Sequence, residues 1–200
     1  MKTLFPELDD PSTLDDLWTA WEGCRRCEFW PARKRMVRWS GSSAAEVVFV
    51  GQYPGRDEDR KGTAYVGPAG VLCRNVATKI ARIPEDLQLW TNAIHCRPVP
   101  QYKQVFAKNC SKLLDLQIDI VQPKLLVAMG LIAAKRLARK LSMKKKMQQL
   151  RQTTFTYRDI PGVIVLFPAA YYQQVSDRDK RKVGAAIRED FDIVGRMYRA

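Results

Sequence analysis

Four short apolar runs are separated by longer stretches in which apolar residues recur at helical spacing. The runs are EVVFVG (46–51), LQLWTNAI (87–94), KLLVAMG (124–130) and GVIVLFP (162–168). Short apolar runs with Gly or Pro nearby are typical of strands that are buried on both faces of a sheet. The pattern therefore predicts four buried strands, and TFTYRD (154–159) is compatible with an additional edge strand.

The stretches between these runs predict helices. Within residues 13–30, Leu14, Leu17 and Trp21 fall on one helical face, and Ser12 or Thr13 is suited to the N-cap position. Further helices are expected at 69–81, 105–120, 131–141 and 178–199, with a lysine-rich exposed loop at 144–152. Strands that alternate with helices predict one domain, residues 1–200, built as a three-layer α/β/α sandwich around a largely parallel four-stranded sheet. In such a sheet the functional loops follow the carboxyl ends of the strands.

The charge of the chain favours a polyanionic partner. The 200 residues carry a formal charge of +13, with basic runs at 32–38, 134–146 and 177–182. Nucleic acid is the commonest polyanion in a cell, although a solvated helix face is the simpler explanation of any single run. The run at 134–146 lacks the aromatic face of an interfacial helix, and the apolar runs are too short to span a bilayer. The first residues do not resemble a secretory signal, so we expect a cytoplasmic, nucleic-acid-binding protein with no membrane partner.

The cysteines are candidates for metal ligation. The chain has five cysteines and one histidine, His95. Cys24 and Cys27 form a C-x-x-C pair, which occurs in zinc sites, redox pairs and iron–sulfur clusters alike. With Cys96 and Cys110 they make four thiolates, which suit either zinc or an iron–sulfur cluster, and spacing does not separate the two. The fifth, Cys73, lies in an apolar helical pattern and is expected to be a small buried side chain.

The order and spacing of several motifs resemble the family 4 uracil-DNA glycosylases. These motifs are CRRC (24–27), VVFVGQYPGRDEDRKGTAYVGPAG (47–70), LWTNAIHCRP (89–98), the segment around Cys110, and PKLLVAMG (123–130). The resemblance implies a doubly wound α/β/α fold and a monomeric enzyme that acts on single- or double-stranded DNA. It also implies hydrolysis of the N-glycosidic bond of uracil or a related altered base, as in base-excision repair.

The resemblance further implies a [4Fe–4S] cluster on Cys24, Cys27, Cys96 and Cys110. Such a cluster would act mainly as a structural staple between the first helix, the loop after the second strand and the helix that follows. His95 replaces a lysine or similar residue before the cluster cysteine, and we expect a surface or backbone contact rather than catalysis.

Three residues match the family at positions that handle the base. Tyr65 matches an aromatic residue, usually Phe, that stacks on the base. Asn92 matches the residue that reads uracil through its amide, which offers a donor and an acceptor. Outside this context, Tyr65 would be a packing aromatic and Asn92 a strand-end cap. Glu58, which precedes Asp59, is expected to position water or to balance the positive charge that develops on the sugar.

Other positions depart from the family pattern. Gln52 stands where the family has an acid, and a glutamine orients water but removes no proton. Tyr53 replaces a small residue and is expected to narrow the pocket. Phe167 replaces a histidine, so a donor to the leaving base is missing, and the loss of one such donor typically lowers the rate by about 10²–10³. Gln173 replaces an arginine.

Two tyrosines in the same loop, Tyr171 and Tyr172, are candidates for DNA contact. They are suited to wedging between bases or to stacking on a single strand, and packing against the body of the protein is the ordinary alternative.

These features lead to three hypotheses. The first is a monofunctional glycosylase for uracil or a related base, with Gln52 and Glu58 as catalytic residues and Tyr53, Tyr65, Asn92 and Phe167 around the base. The second is a nucleic-acid-binding module that keeps the fold and has lost excision. The third is an enzyme whose altered pocket accepts a different base.

Overall fold

The structure is a computed structural model that describes residues 11–27, 30–98, 108–139 and 146–200. Its helices are α1 (Leu14–Trp21), α2 (Arg56–Lys61), α3 (Pro68–Lys79), α4 (Ser111–Val121), α5 (Leu131–Leu137), α6 (Met147–Leu150) and α7 (Asp177–Arg199). Its strands are β1 (Ser40–Gly41), β2 (Val47–Gly51), β3 (Gln88–Asn92), β4 (Leu125–Met129), β5 (Thr154–Tyr157) and β6 (Ile160–Val165). Short 3₁₀ turns cover Glu85–Leu87 and Pro168–Tyr171.

The strands form one sheet in the order β1-β3-β2-β4-β6-β5. The pairs β3-β2, β2-β4 and β4-β6 are parallel, whereas β1 and β5 lie antiparallel at the two edges. The strand order reverses between β2 and β4, because the chain runs from β2 outward to β3 and then returns to the other side of β2. A reversal of this kind opens a crevice at the carboxyl ends of the strands.

Two apolar layers bury the faces of the sheet. Val48 and Val50 of β2 face the layer that contains α1, α4 and α5, and Val47 and Phe49 face the layer that contains α3 and α7. This alternation follows from the period of two along a strand, and it explains why β2 and β4 are apolar throughout. The central strand β3 differs, because it also carries the buried polar residues Gln88, Thr91 and Asn92. Phe49 of β2 stacks on Trp90 of β3 with a distance of 4.1 Å between the ring centroids. This contact packs the two neighbouring strands together on the α3/α7 face of the sheet.

The predicted architecture is confirmed as an α/β sandwich, but the strand number was wrong: the described sheet has six strands rather than four. The four predicted strands form the parallel centre, and 154–157 is the predicted edge strand. β1 has two residues, too few for any periodicity to show in the sequence.

Two predicted loops contain short helices. Residues 147–150 form α6 because Leu150 is buried, and the loop after β2 becomes α2 from Arg56 onward. The predicted helix at 105–120 is observed from Ser111, and its predicted first residues, 105–107, lie outside the described residues. Residues 140–141 of the predicted basic helix lie outside them too.

Candidate active site

A cavity of about 220 Å³ lies at the carboxyl ends of the parallel strands. It brings together six of the residues expected to act on the base, namely Gln52, Tyr53, Glu58, Tyr65, Asn92 and Phe167. These residues come from the loop after β2, from α2 and the segment after it, from the end of β3 and from the loop after β6. The topology therefore collects into one site residues that are more than 100 positions apart in sequence.

The Gln52 side chain lies over the end of β4. A Cβ atom on Gly130 would be 3.1 Å from Gln52 Cδ and 3.2 Å from Gln52 Nε2. Gly130 also has a φ of +86°, a conformation that favours glycine. The amide of Gln52 thus occupies the space that a side chain at Gly130 would take, at the point where the strand order reverses.

Asn92 and Tyr65 meet beside Gly51, the last residue of β2. Gly51 pairs with Asn92 in the parallel ladder. A Cβ atom on Gly51 would be 2.1 Å from the Tyr65 hydroxyl oxygen and 2.7 Å from Asn92 Oδ1. Glycine is therefore required at position 51 because two polar side-chain atoms already fill that space.

Tyr65 is almost fully buried, with 6% of its surface exposed. Its ring packs against Trp90 at a centroid distance of 5.0 Å, and its φ of +59° places a bulky residue in the left-handed region. The hydroxyl oxygen is buried without a hydrogen-bond partner in the described part of the chain. Burial raises the pKa of Tyr65 well above its ordinary value, so the hydroxyl keeps its proton.

Glu58 holds two backbone segments together at the mouth of the cavity. Its Oε1 accepts hydrogen bonds from the N–H groups of Val66 (3.0 Å) and Gly67 (2.8 Å), and its Oε2 accepts one from Gly55 (3.1 Å). The neighbouring Asp59 is buried and accepts a bond from the Lys34 N–H. Both acids of the predicted pair are therefore engaged by backbone donors.

The loop after β6 supplies the opposite side of the site. Phe167 and Gln173 line the cavity. Tyr171 packs against the α3/α7 layer, where it approaches Gly184, and Tyr172 is 55% exposed. The two tyrosine rings are in edge contact at 5.6 Å, and the Tyr172 hydroxyl donates to the Pro68 carbonyl. Tyr172 is thus the more accessible of the two rings.

The four expected cluster cysteines lie in one neighbourhood. Burial is the largest cause that raises the pKa of Cys96 to about 11 and that of Cys110 to about 12, and the nearby thiols of Cys24 and Cys27 contribute to both shifts in the same direction. Arg33 opposes this at Cys96, because its Nη1 donates a hydrogen bond to Cys96 Sγ at 3.1 Å.

Within the described residues, no three His, Cys, Asp or Glu side chains are grouped so that they could hold a metal ion. In a [4Fe–4S] cluster each cysteine binds a different iron atom, so the donor set to test is four neighbouring thiolates. Cys27 and Cys110 both pack against Ile94, two positions before Cys96, and cysteine thiolates are the ligands that such clusters use, so the donor types fit this group.

Cys73 and His95 are structural residues in this fold. Cys73 is fully buried, and burial raises the pKa of its thiol, which agrees with a small apolar role. His95 was expected at the surface or in a backbone contact; the surface alternative was wrong, since the side chain is 2% exposed. Its Nδ1 lies 2.9 Å from the Val37 carbonyl, which can only accept, so Nδ1 carries the proton. Burial lowers the pKa of His95 to about 4.

Sequence reasoning missed three contributors to these sites. Gly51 and Gly130 leave room for polar side chains of the cavity. Each lies at the end of a predicted strand, and this position was the sequence feature from which their role was predictable. The sequence analysis treated Arg33 only as part of the basic run at 32–38. Nothing in the sequence indicates that Arg33 contacts a cysteine thiol.

Comparison with known proteins was consistent with this site. The family model described as "Uracil DNA glycosylase superfamily" matches residues 39–192. The type-4 uracil-DNA glycosylase of Sulfurisphaera tokodaii is 30% identical over 173 residues, which cover 84% of this chain and 77% of that protein. The one from Saccharolobus solfataricus is 31% identical over 82% of each chain, and the one from Archaeoglobus fulgidus is 36% identical over 61% of this chain and 62% of its own. Among the described residues, no helix is long and apolar enough to cross a membrane.

Proposed function

Because this chain belongs to the uracil DNA glycosylase superfamily, we propose that it hydrolyses the N-glycosidic bond of uracil or a related altered base in DNA. The observation that carries the proposal is that Asn92, Tyr65 and Gln52 line one cavity at the point where the strand order of the sheet reverses. An enzyme that acts on a base must take it out of the stack into such a pocket and read its pairing edge there.

In this proposal Asn92 reads the base and Gln52 orients water. The Asn92 amide offers an acceptor and a donor to the adjacent N–H and C=O groups of uracil. The Gln52 amide has the same two functions and lies over Gly130, at the end of β4, where we propose that it orients the attacking water. Tyr53, Tyr65 and Phe167 provide aromatic walls that hold the base in place.

Glu58 contributes a fixed charge in this proposal rather than a mobile proton. Three backbone N–H groups donate hydrogen bonds to its two oxygens and hold the carboxylate in place. A fixed negative charge beside the cavity opposes the positive charge that develops on the sugar as the base leaves.

A [4Fe–4S] cluster on Cys24, Cys27, Cys96 and Cys110 forms the second part of the proposal. The thiols lie after α1, after β3 and directly before α4, so the cluster would join three separate segments. It would supply structural cross-linking, and Arg33 would partly balance the charge of its thiolate ligands.

DNA is the proposed partner, bound by a monomeric single-domain protein. A formal charge of +13 favours association with phosphates, and the exposed Tyr172 lies in the same loop as Phe167. A ring at this place is suited to contact the bases on either side of the extruded nucleotide.

One observation favours a second candidate, a nucleic-acid-binding module without excision. Each oxygen of the Glu58 carboxylate already accepts a backbone hydrogen bond, and the amide side chains that line the cavity, Gln52, Asn92 and Gln173, are uncharged. A site of this kind binds a base well, but it has weak means of promoting bond cleavage.

The experiment that separates the two is single-turnover release of uracil from single-stranded and duplex oligonucleotides, with protein in excess. We expect release by the wild type, and a decrease in rate of about 10²-fold or more in Asn92→Ala, because the base edge loses its partner. Asn75→Ala is the matched control, since Asn75 is exposed on α3, and it should retain the wild-type rate. Binding without release by the wild type would favour the binding module.

A further inference from the structure

The Tyr65 hydroxyl is a buried polar group that the proposed reaction does not use. It has no hydrogen-bond partner among the described residues. An unpaired buried hydroxyl is unfavourable, so its retention in a cavity wall calls for a partner that forms in the working protein. Tyr65 also holds a left-handed backbone conformation with φ of +59°, and such strain concentrates at functional sites.

The structure places one polar atom of the cavity next to this hydroxyl. The Tyr65 oxygen and Asn92 Oδ1 both surround the position of a Cβ atom on Gly51, at 2.1 Å and 2.7 Å from it. The hydroxyl keeps its proton because burial raises its pKa, so it is a donor and Oδ1 is an acceptor. The two atoms make no hydrogen bond in this structure. Because both lie against the same point, we expect a rotation of the Asn92 side chain to join them.

Such a bond would fix which way the Asn92 amide faces. A carbonyl oxygen has two lone pairs, so Oδ1 can accept from Tyr65 and from an N–H of the base at the same time. With Oδ1 held on the Tyr65 side, Nδ2 is left to donate to a neighbouring carbonyl of the base. The opposite orientation of the amide would leave the Tyr65 proton facing an NH₂ group, which cannot accept it.

We propose that the Tyr65 hydroxyl is a positioning residue that locks the Asn92 amide, and that this lock restricts the pocket to bases that present an N–H beside a C=O. Uracil has this edge at N3–H and O4, whereas cytosine presents the reverse, an acceptor at N3 beside an NH₂ donor. A freely rotating amide would pair with both bases. The inference rests on the proposed base-binding function of the cavity and adds the origin of its specificity.

The test is equilibrium binding of oligonucleotides that carry 2′-fluoro-2′-deoxyuridine or 2′-fluoro-2′-deoxycytidine, whose glycosidic bonds resist hydrolysis. We expect wild type to prefer the uracil oligonucleotide, and Tyr65→Phe to lower the uracil-to-cytosine affinity ratio by roughly tenfold, the worth of one buried hydrogen bond. Part of that change should be a gain in cytosine binding, which a packing defect would not produce. Tyr198→Phe is the control, because its hydroxyl donates to Glu46, which is not among the cavity residues, and it should leave the ratio unchanged.

A double-mutant cycle isolates the coupling between the two side chains. In the Asn92→Ala background, Tyr65→Phe should have no further effect on the ratio, since there is no amide left to lock. An unchanged ratio in Tyr65→Phe, or equal losses for both bases, overturns the lock. This test measures binding and not excision. A protein that binds uracil selectively but releases no base would contradict the proposed hydrolysis and would still support the lock between Tyr65 and Asn92. A wild type without preference for uracil contradicts the lock.

Discussion

Glu58 illustrates how a residue expected to act in chemistry also organises the backbone around the site. Its carboxylate bridges Gly55, in the loop after β2, to Val66 and Gly67, directly before α3. These two segments carry Gln52 on one side and Tyr65 on the other. The position of both cavity residues therefore depends on one carboxylate, whatever part its charge plays in the reaction.

We predict that Glu58→Gln lowers the free energy of unfolding by about 1–3 kcal/mol, because the amide NH₂ would replace one acceptor and face a backbone N–H. The measurement is urea unfolding followed by circular dichroism. Glu22→Gln is the control, since Glu22 is exposed just after α1, and it should stay close to wild type. Equal stability of Glu58→Gln and Glu22→Gln would show that the bridge is not needed.

The terminal helix α7 is fixed to the sheet by one buried acid. Asp190 is fully buried, and it accepts hydrogen bonds from Arg151 Nε (3.0 Å), Gln152 Nε2 (3.1 Å) and the Leu166 N–H (2.7 Å). Leu166 directly precedes Phe167, so this contact sets where the loop after β6 begins. An element distant in sequence thus positions one wall of the cavity.

We predict that Asp190→Ala decreases the free energy of unfolding by about 3–5 kcal/mol, the usual cost of removing one partner of a buried ion pair. The Leu166 N–H and the Arg151 guanidinium would both lose their acceptor. Thermal and urea unfolding measure the effect, with Asp192→Ala as control because Asp192 lies exposed beside Arg196 on the same helix. A loss no greater than that of Asp192→Ala would contradict the role of Asp190.

At the scale of the whole molecule, segments remote in sequence meet in the central sheet and around the four cysteines Cys24, Cys27, Cys96 and Cys110. α1 and α4 pack against the same face of the sheet, and Cys27 and Cys110 both pack against Ile94. A cluster on these thiols would connect the amino-terminal segment to the loop after β3 without lying in the candidate cavity, whose lining residues do not include the four cysteines.

We predict that Cys96→Ser abolishes bound iron and visible absorbance in the purified protein and lowers its unfolding temperature. Cys73→Ala should retain iron at the wild-type level, because Cys73 lies in the other apolar layer with α3. Iron analysis and absorption spectroscopy of the two variants are the measurements. Wild-type protein purified without oxygen and free of iron would falsify the cluster.

Much of this protein is determined by local pattern. The four parallel strands, α1 with Thr13 as its N-cap, α3 and α7 follow from apolar periodicity and capping residues, which act over a few positions. The six residues that line the cavity were named from the family resemblance, since the types and order of residues in a motif are properties of the chain itself, and their roles at a base stay predictions.

Only the tertiary structure decided which atoms of those residues are in contact. The edge strand β1 forms because β3 offers it a partner, and the Glu58 oxygens accept hydrogen bonds from the backbone of two segments. The Tyr65 hydroxyl and Asn92 Oδ1 both lie against Gly51. Each of these facts depends on distances between segments remote in sequence. Local propensity carries no information on such distances, because packing of the whole chain sets them.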